Sequence, residues 1–94
     1  MDDRDRRLDG NAAAGLLGEV FGFEMTAAPA GCAGCGAANQ VGALLAYRHG
    51  MGTVLCCPAC QAVMVRVATG AGRWWLDLRG AAFLQLDEGA RLPG

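Results

Sequence analysis

Apolar residues recur along this chain in two rhythms, each predicting a different element. Over residues 9–22, Ala13, Leu16, Leu17, Val20 and Phe21 fall at i, i+3, i+4, i+7 and i+8, the spacing that gathers side chains into one stripe of an α-helix. Asp9 or Asn11 is placed to cap its amino end, and Gly22 to end it in a left-handed residue. Gly15 and Gly18 inside the segment each cost about 1 kcal/mol relative to alanine, so the helix must form by docking its stripe. Ala14, Gly18 and Gly22, at intervals of four, make a second stripe of small residues that lets another backbone come close. The expected cover for the helix is the chain's own sheet.

From Glu24 onward the rhythm is that of strands. Residues 24–28 lead into a cysteine turn, 41–48 read as a strand, His49-Gly50-Met51-Gly52 as a turn, and 53–56 as a short strand. Over 62–69, Val63, Val65 and Val67 alternate with Met64, Arg66 and Ala68, the period of a strand with one face buried. Gly70-Ala71-Gly72 is a turn signal. Beyond it Trp74, Leu76 and Leu78 share one face and Trp75, Asp77 and Arg79 the other, before Gly80 turns the chain into Phe83-Leu84-Gln85-Leu86. This alternation predicts a C-terminal β-hairpin in which Leu84 and Leu86 extend the face formed by Leu76 and Leu78. Two flanks show no rhythm: residues 1–8 read as a disordered charged tail and 88–94 as a frayed end, leaving 9–87 as a single domain.

Two cysteine pairs interrupt the strand rhythm. Cys32-Ala33-Gly34-Cys35 and Cys57-Pro58-Ala59-Cys60 are separated by 21 residues, and two such tight turns can aim their four sulfurs at one metal ion. Gly34 and Gly36 are suited to positive φ where the chain curls round the metal, and Pro58 fixes φ at the start of the second turn. The expected fold is a small, mainly-β zinc ribbon of antiparallel strands with two zinc knuckles, plus one N-terminal α-helix of about residues 9–22 and the C-terminal hairpin. Cys32, Cys35, Cys57 and Cys60 are the expected ligands of one Zn2+ per chain. Cys-x-x-Cys-Gly followed by Cys-Pro-x-Cys is also how rubredoxins hold a single iron, and four sulfurs suit both metals. The first half resembles rubredoxin from Cys32 to Gly36, whereas Gln61 replaces the glycine expected after the last cysteine.

Length makes the metal matter. A chain of 94 residues has a marginal core unless helped, and structural zinc contributes on the order of 10 kcal/mol to small domains of this kind. Five cysteines without an apolar export signal favour metal ligation with one thiol to spare, and no run of about 18 apolar residues is present to cross a bilayer. A cytoplasmic protein is expected. Cys56, the spare thiol, points away from Cys57 in an extended chain and reads as a small buried residue. His49, the one histidine, reads as an exposed turn residue, with a three-cysteine, one-histidine site as its alternative.

Charge and composition narrow the function classes. The net charge is −1, all eight basic residues are arginine, and Arg4, Arg6 and Arg7 are offset by Asp2, Asp3, Asp5 and Asp9. No basic patch for phosphates stands out, which disfavours nucleic acid as a partner. With one histidine, no serine and no open metal position, neither a Ser-His-Asp arrangement nor hydrolytic zinc is available. The expected role is a non-enzymatic structural or accessory module that binds another protein, with homo-oligomers open to it. Trp75, Asp77 and Arg79 form the candidate partner surface, and Leu16, Leu17, Val20 and Phe21 the helix stripe that docks. A rubredoxin-like iron electron carrier and a nucleic-acid-binding zinc ribbon are the alternatives.

Leu8-Asp9-Gly10-Asn11-Ala12, Glu19-Val20-Phe21-Gly22, Met25-Thr26, the two cysteine motifs and Leu76-Asp77-Leu78-Arg79-Gly80 together resemble an uncharacterised family of short bacterial zinc-ribbon proteins. The resemblance spans residues 8–86. It implies a four-cysteine zinc ribbon and no assigned activity, and, because members are encoded near oxidoreductases, an accessory role beside a redox enzyme.

Overall fold

The computed structural model describes residues 7, 8, 10–50 and 52–93. In chain order these form β1 (Arg7–Leu8), α1 (Gly10–Phe21), β2 (Pro29–Cys32), β3 (Ala38–Gln40), a 3-10 turn at Val41–Ala43, β4 (Leu45–His49), β5 (Gly52–Cys56), β6 (Val63–Gly70), β7 (Arg73–Asp77), β8 (Ala81–Leu84) and a second 3-10 turn at Glu88–Ala90. Two antiparallel sheets result. One has the order β1-β4-β5-β6-β7 and the other β3-β2-β8.

Helix α1 ends where the sequence places its stop: the Gly22 amide donates to the Gly18 carbonyl at 2.8 Å, and Gly22 sits at φ +76. Its buried face, however, is rotated toward the small residues. Ala13, Ala14, Leu17 and Gly18 are buried, while Leu16, Val20 and Phe21 are half-covered. The reason is what lies over the helix. It packs chiefly on the Val41–Ala43 turn rather than on a sheet face, and a side-chain carbon on Gly18 would lie 2.9 Å from the Phe23 carbonyl oxygen and 3.6 Å from Leu92. Backbone comes closer than side chains would allow, so the small stripe is what docks.

Four further sequence expectations need correction. Residues 41–43 are a 3-10 turn, because the Val41 and Gly42 amides reach back to the Ala28 and Thr26 carbonyls, each at 2.9 Å, rather than to a neighbouring strand. Arg7 and Leu8 leave the expected tail to pair with Tyr47 and Ala46; residues 1–6 of that tail lie outside the described residues. The expected fray at 88–94 is docked through residue 92: Arg91 bridges Phe23, the Leu92 amide donates to the Gly22 carbonyl at 2.8 Å, and the Arg91 guanidinium lies 4.9 Å from the Phe23 ring centre.

The fourth correction concerns the C-terminal hairpin. Strands β6 and β7 form it, joined by Ala71-Gly72, while β8 crosses to the other sheet and pairs with β2. Gly80 makes the crossing possible, since a side-chain carbon there would overlap the Val63 carbonyl. Gly31 then receives the incoming strand: the Phe83 ring occupies the space a side chain at 31 would need. Leu84 therefore packs against the main core, not beside Leu76.

The core gathers Leu17, Met25, Val41, Leu55, Met64 and Val65, all essentially inaccessible, and includes Cys32 and Cys57. Met64 enters it through a bulge, since Leu55 pairs with Val65 and Cys56 with Val63, leaving Met64 unopposed. No polar or charged side chain is buried among the described residues. What stabilises the interior is therefore apolar contact, continuous with one sulfur of each cysteine pair.

Candidate metal centre

Each cysteine pair is a turn closed by the same two backbone hydrogen bonds. In the first, the Cys32 amide donates to the Ala37 carbonyl at 2.8 Å and the Gly36 amide to the Cys32 carbonyl at 2.9 Å. In the second, the Cys57 amide donates to the Ala62 carbonyl at 2.9 Å and the Gln61 amide to the Cys57 carbonyl at 2.7 Å. The residue after the second cysteine is left-handed in both, with φ +79 at Gly36 and +65 at Gln61. Gly34 is not in that region, and a side-chain carbon there meets the Cys32 sulfur at an ordinary 3.7 Å. Only one of the two glycines expected to need positive φ has it.

These turns bring all four Sγ atoms within 4.8 Å of one another. Between turns, Cys32 lies 3.7 Å from Cys60 and Cys35 lies 3.6 Å from Cys57. Four sulfurs each about 2.3 Å from a central ion sit about 3.8 Å apart in a tetrahedron, which the two contacts between the turns match, so the cluster could hold a metal ion. In each pair the first cysteine is buried and the second exposed.

The turns also prepare the sulfurs electrically. The Cys35 amide, followed by that of Gly34, points at the Cys32 sulfur and lowers that thiol to about 7 against the cost of burial. The Cys60 amide, with Ala59 donating at 3.4 Å, lowers the Cys57 thiol from its ordinary value as well. At Cys35 the Ala37 amide also lowers the pKa, but the adjoining Cys57 sulfur and burial outweigh it and push the thiol up to about 12. Four sulfurs this close cannot all shed protons unaided, and a cation supplies the missing charge. Soft thiolate donors in a tetrahedron suit zinc and iron alike.

The remaining sequence candidates lie apart from this cluster. Cys56 is buried between the Leu45 and Val63 pairings, and burial raises its thiol. His49 ends β4 opposite Gly52, and its side chain is outside the described residues. Trp75 stands on the outer face of the five-stranded sheet, 67% exposed, with α1 packed elsewhere. Beside it runs an open groove of about 360 Å3, walled by Val54, Arg66, Ala68 and Asp77. Arg79 clasps the Asp77 carboxylate through Nε at 3.0 Å and a terminal nitrogen at 2.7 Å, which holds the Asp77 carboxyl down to about 2. Of the helix stripe, Leu17 is buried in the core, Leu16 and Phe21 pack against it, and Val20 is only half-covered.

Sequence reasoning noted that Gln61 stands where a glycine is expected but missed that Gln61 adopts that glycine's left-handed conformation.

Against this geometry stands one family match: the model of the family of unknown function DUF6510 aligns with residues 3–89. The chain belongs to that family. No curated protein and no solved structure matches it. In this DUF6510 chain the four-cysteine cluster has a zinc-ribbon-like knuckle arrangement, and no helix among the described residues is long and apolar enough to cross a membrane.

Proposed function

We propose that this protein is a non-enzymatic zinc-ribbon module, in which Cys32, Cys35, Cys57 and Cys60 hold one Zn2+ and the Trp75 surface binds another protein. The observation that carries the reading is the sulfur cluster itself. Its spacing matches a four-sulfur tetrahedron, and four protein ligands leave no coordination position for substrate or water. Chemistry at the metal is thereby closed off, and its contribution is structural. Two of the ligands belong to the hydrophobic core, so metal and core hold each other.

The interaction role rests on Trp75, the most exposed large apolar side chain among the described residues, flanked by the Asp77–Arg79 ion pair and an open groove. Large aromatic and arginine side chains in that setting are typical anchors of protein interfaces. A second reading, an iron electron carrier, is favoured by one observation: Gln61 takes the left-handed conformation of a knuckle glycine, so its identity is no obstacle to a rubredoxin-like turn.

Elemental analysis of protein purified without added metal, with a visible absorption spectrum, separates the two. One colourless zinc per chain is the expected result. One iron with thiolate charge-transfer bands makes the redox reading the right one, and protein that is folded and metal-free rules out both.

A further inference from the structure

Strand β7 ends the five-stranded sheet, and no described strand pairs with its outer side. Which backbone groups face that open edge follows from the hairpin. Ala71 and Gly72, at φ +51 and +72, form a two-residue loop between the paired residues Gly70 and Arg73, and such loops make the flanking pair a hydrogen-bonded one. Pairs alternate along an antiparallel ladder. Arg73, Trp75 and Asp77 therefore direct their amides and carbonyls inward to β6, and Trp74 and Leu76 direct theirs outward.

We propose that a second copy of this chain adds to that edge, its β7 antiparallel to the first about a two-fold axis at Trp75. This rests on the reading of the Trp75 surface as an interaction surface and names its occupant. The argument is charge complementarity. Outward groups can match only if the axis passes through Trp74, Trp75 or Leu76. An axis at Leu76 sets Arg73 against Arg79 of the partner subunit, two like charges directly opposed, and an axis at Trp74 sets Arg73 against Trp75 of the partner subunit, with no charge pair formed. An axis at Trp75 sets Arg73 against Asp77 of the partner subunit twice over. The sequence Arg73-Trp74-Trp75-Leu76-Asp77 is self-complementary in that register alone.

The apolar residues agree with the same register. Trp75 faces Trp75 of the partner subunit in the closer, non-hydrogen-bonded kind of pair, which suits aromatic contact. On the other face Trp74 meets Leu76 of the partner subunit, and these two are 43% and 39% exposed in the single chain. Asp77 already accepts from Arg79, and a carboxylate has lone pairs left for a second guanidinium. Several devices that keep edges apart are missing, since β7 holds no lysine, no proline and no bulge, and its two charges, Arg73 and Asp77, are of opposite sign. Two such sheets joined make one continuous sheet across the axis, an isologous interface.

Sedimentation equilibrium on the metal-loaded protein of 94 residues tests this. The expected mass is twice the 9.7 kDa of the chain. Arg73→Asp, which sets two carboxylates against each other at both ends, is expected to weaken self-association at least tenfold, and Arg73→Asp with Asp77→Arg to restore it. Trp75→Glu, which opposes two carboxylates on the axis, is a second disrupting variant should the double exchange fail to fold. Metal content and circular dichroism are read for each variant so that loss of pairing is separated from loss of fold. A monomeric wild type at the highest soluble concentration overturns the proposal, as does a dimer indifferent to Arg73→Asp and Trp75→Glu. Metal identity, measured on the same sample, judges the zinc-module reading independently of the mass.

Discussion

The two knuckles are near copies built from different residues, and the difference lies in one position. Both close with the same pair of hydrogen bonds, both bury their first sulfur and expose their second, and both need a left-handed residue just past the second cysteine. The first knuckle supplies glycine there and the second supplies Gln61. A left-handed residue bearing a side chain costs about 1–2 kcal/mol, so the second knuckle holds the same geometry under strain that the first does not carry. The four-sulfur cluster and the β5–β6 pairing on either side of the turn over-determine its shape. Local sequence preference is thus the stronger determinant in one knuckle and tertiary constraint in the other.

The largest test of this comparison removes the constraint. Cys57→Ser should abolish metal binding and with it the cooperative fold, seen as loss of bound metal and of the thermal unfolding transition, whereas the adjacent Cys56→Ser should keep full metal content. Equal metal content in the two variants would mean the wrong thiols have been assigned. Cys32→Ser should match Cys57→Ser, since both first cysteines are core residues as well as members of the four-sulfur cluster.

Smaller effects of opposite sign are expected one residue past the cysteines. Gly36→Gln should destabilise by about 1 kcal/mol through backbone strain alone, because nothing lies within 4 Å of the added carbon. Gln61→Gly should stabilise by about 0.5 kcal/mol, the relief of strain being partly offset by the freer unfolded chain. Chemical denaturation of the metal-loaded variants measures both, and shifts of the same sign would show that the knuckles are not equivalent turns. The smallest effect belongs to Gly34→Ala, expected within about 0.5 kcal/mol of wild type because its φ is ordinary and the new carbon finds normal contact.

What the sequence revealed was local. The helix was bounded to within a residue at each end, the cysteine spacing identified the cluster, and the period-two run after the second knuckle located β6 and β7. What it hid depended on residues far apart. Burial of Ala14 and Gly18 in place of Leu16 and Val20 follows from a backbone return that involves Leu92, and no helical periodicity encodes that partner. The path of β8 depends on Gly80 clearing Val63 and Gly31 admitting Phe83, contacts whose need for glycine is visible only once the strands are placed. A run of alternating apolar residues says which side of a strand is buried, not which sheet it joins.

Because Gly31 pairs with Phe83, the strand that leads into the first knuckle is completed by the last strand of the chain. On a ribosome, which releases the N-terminal end first, Cys32 and Cys35 emerge about half a chain length ahead of the segment that flanks them. The β5–β6–β7 meander can pair from neighbouring sequence as it appears, while the strand leading into the first knuckle must wait for a contact of long sequence separation, which is slow to close. Metal captured early by the four sulfurs would hold the knuckles together before that strand arrives. The ion would then act during synthesis as a clasp on an unfinished chain, setting the order in which the two sheets are assembled.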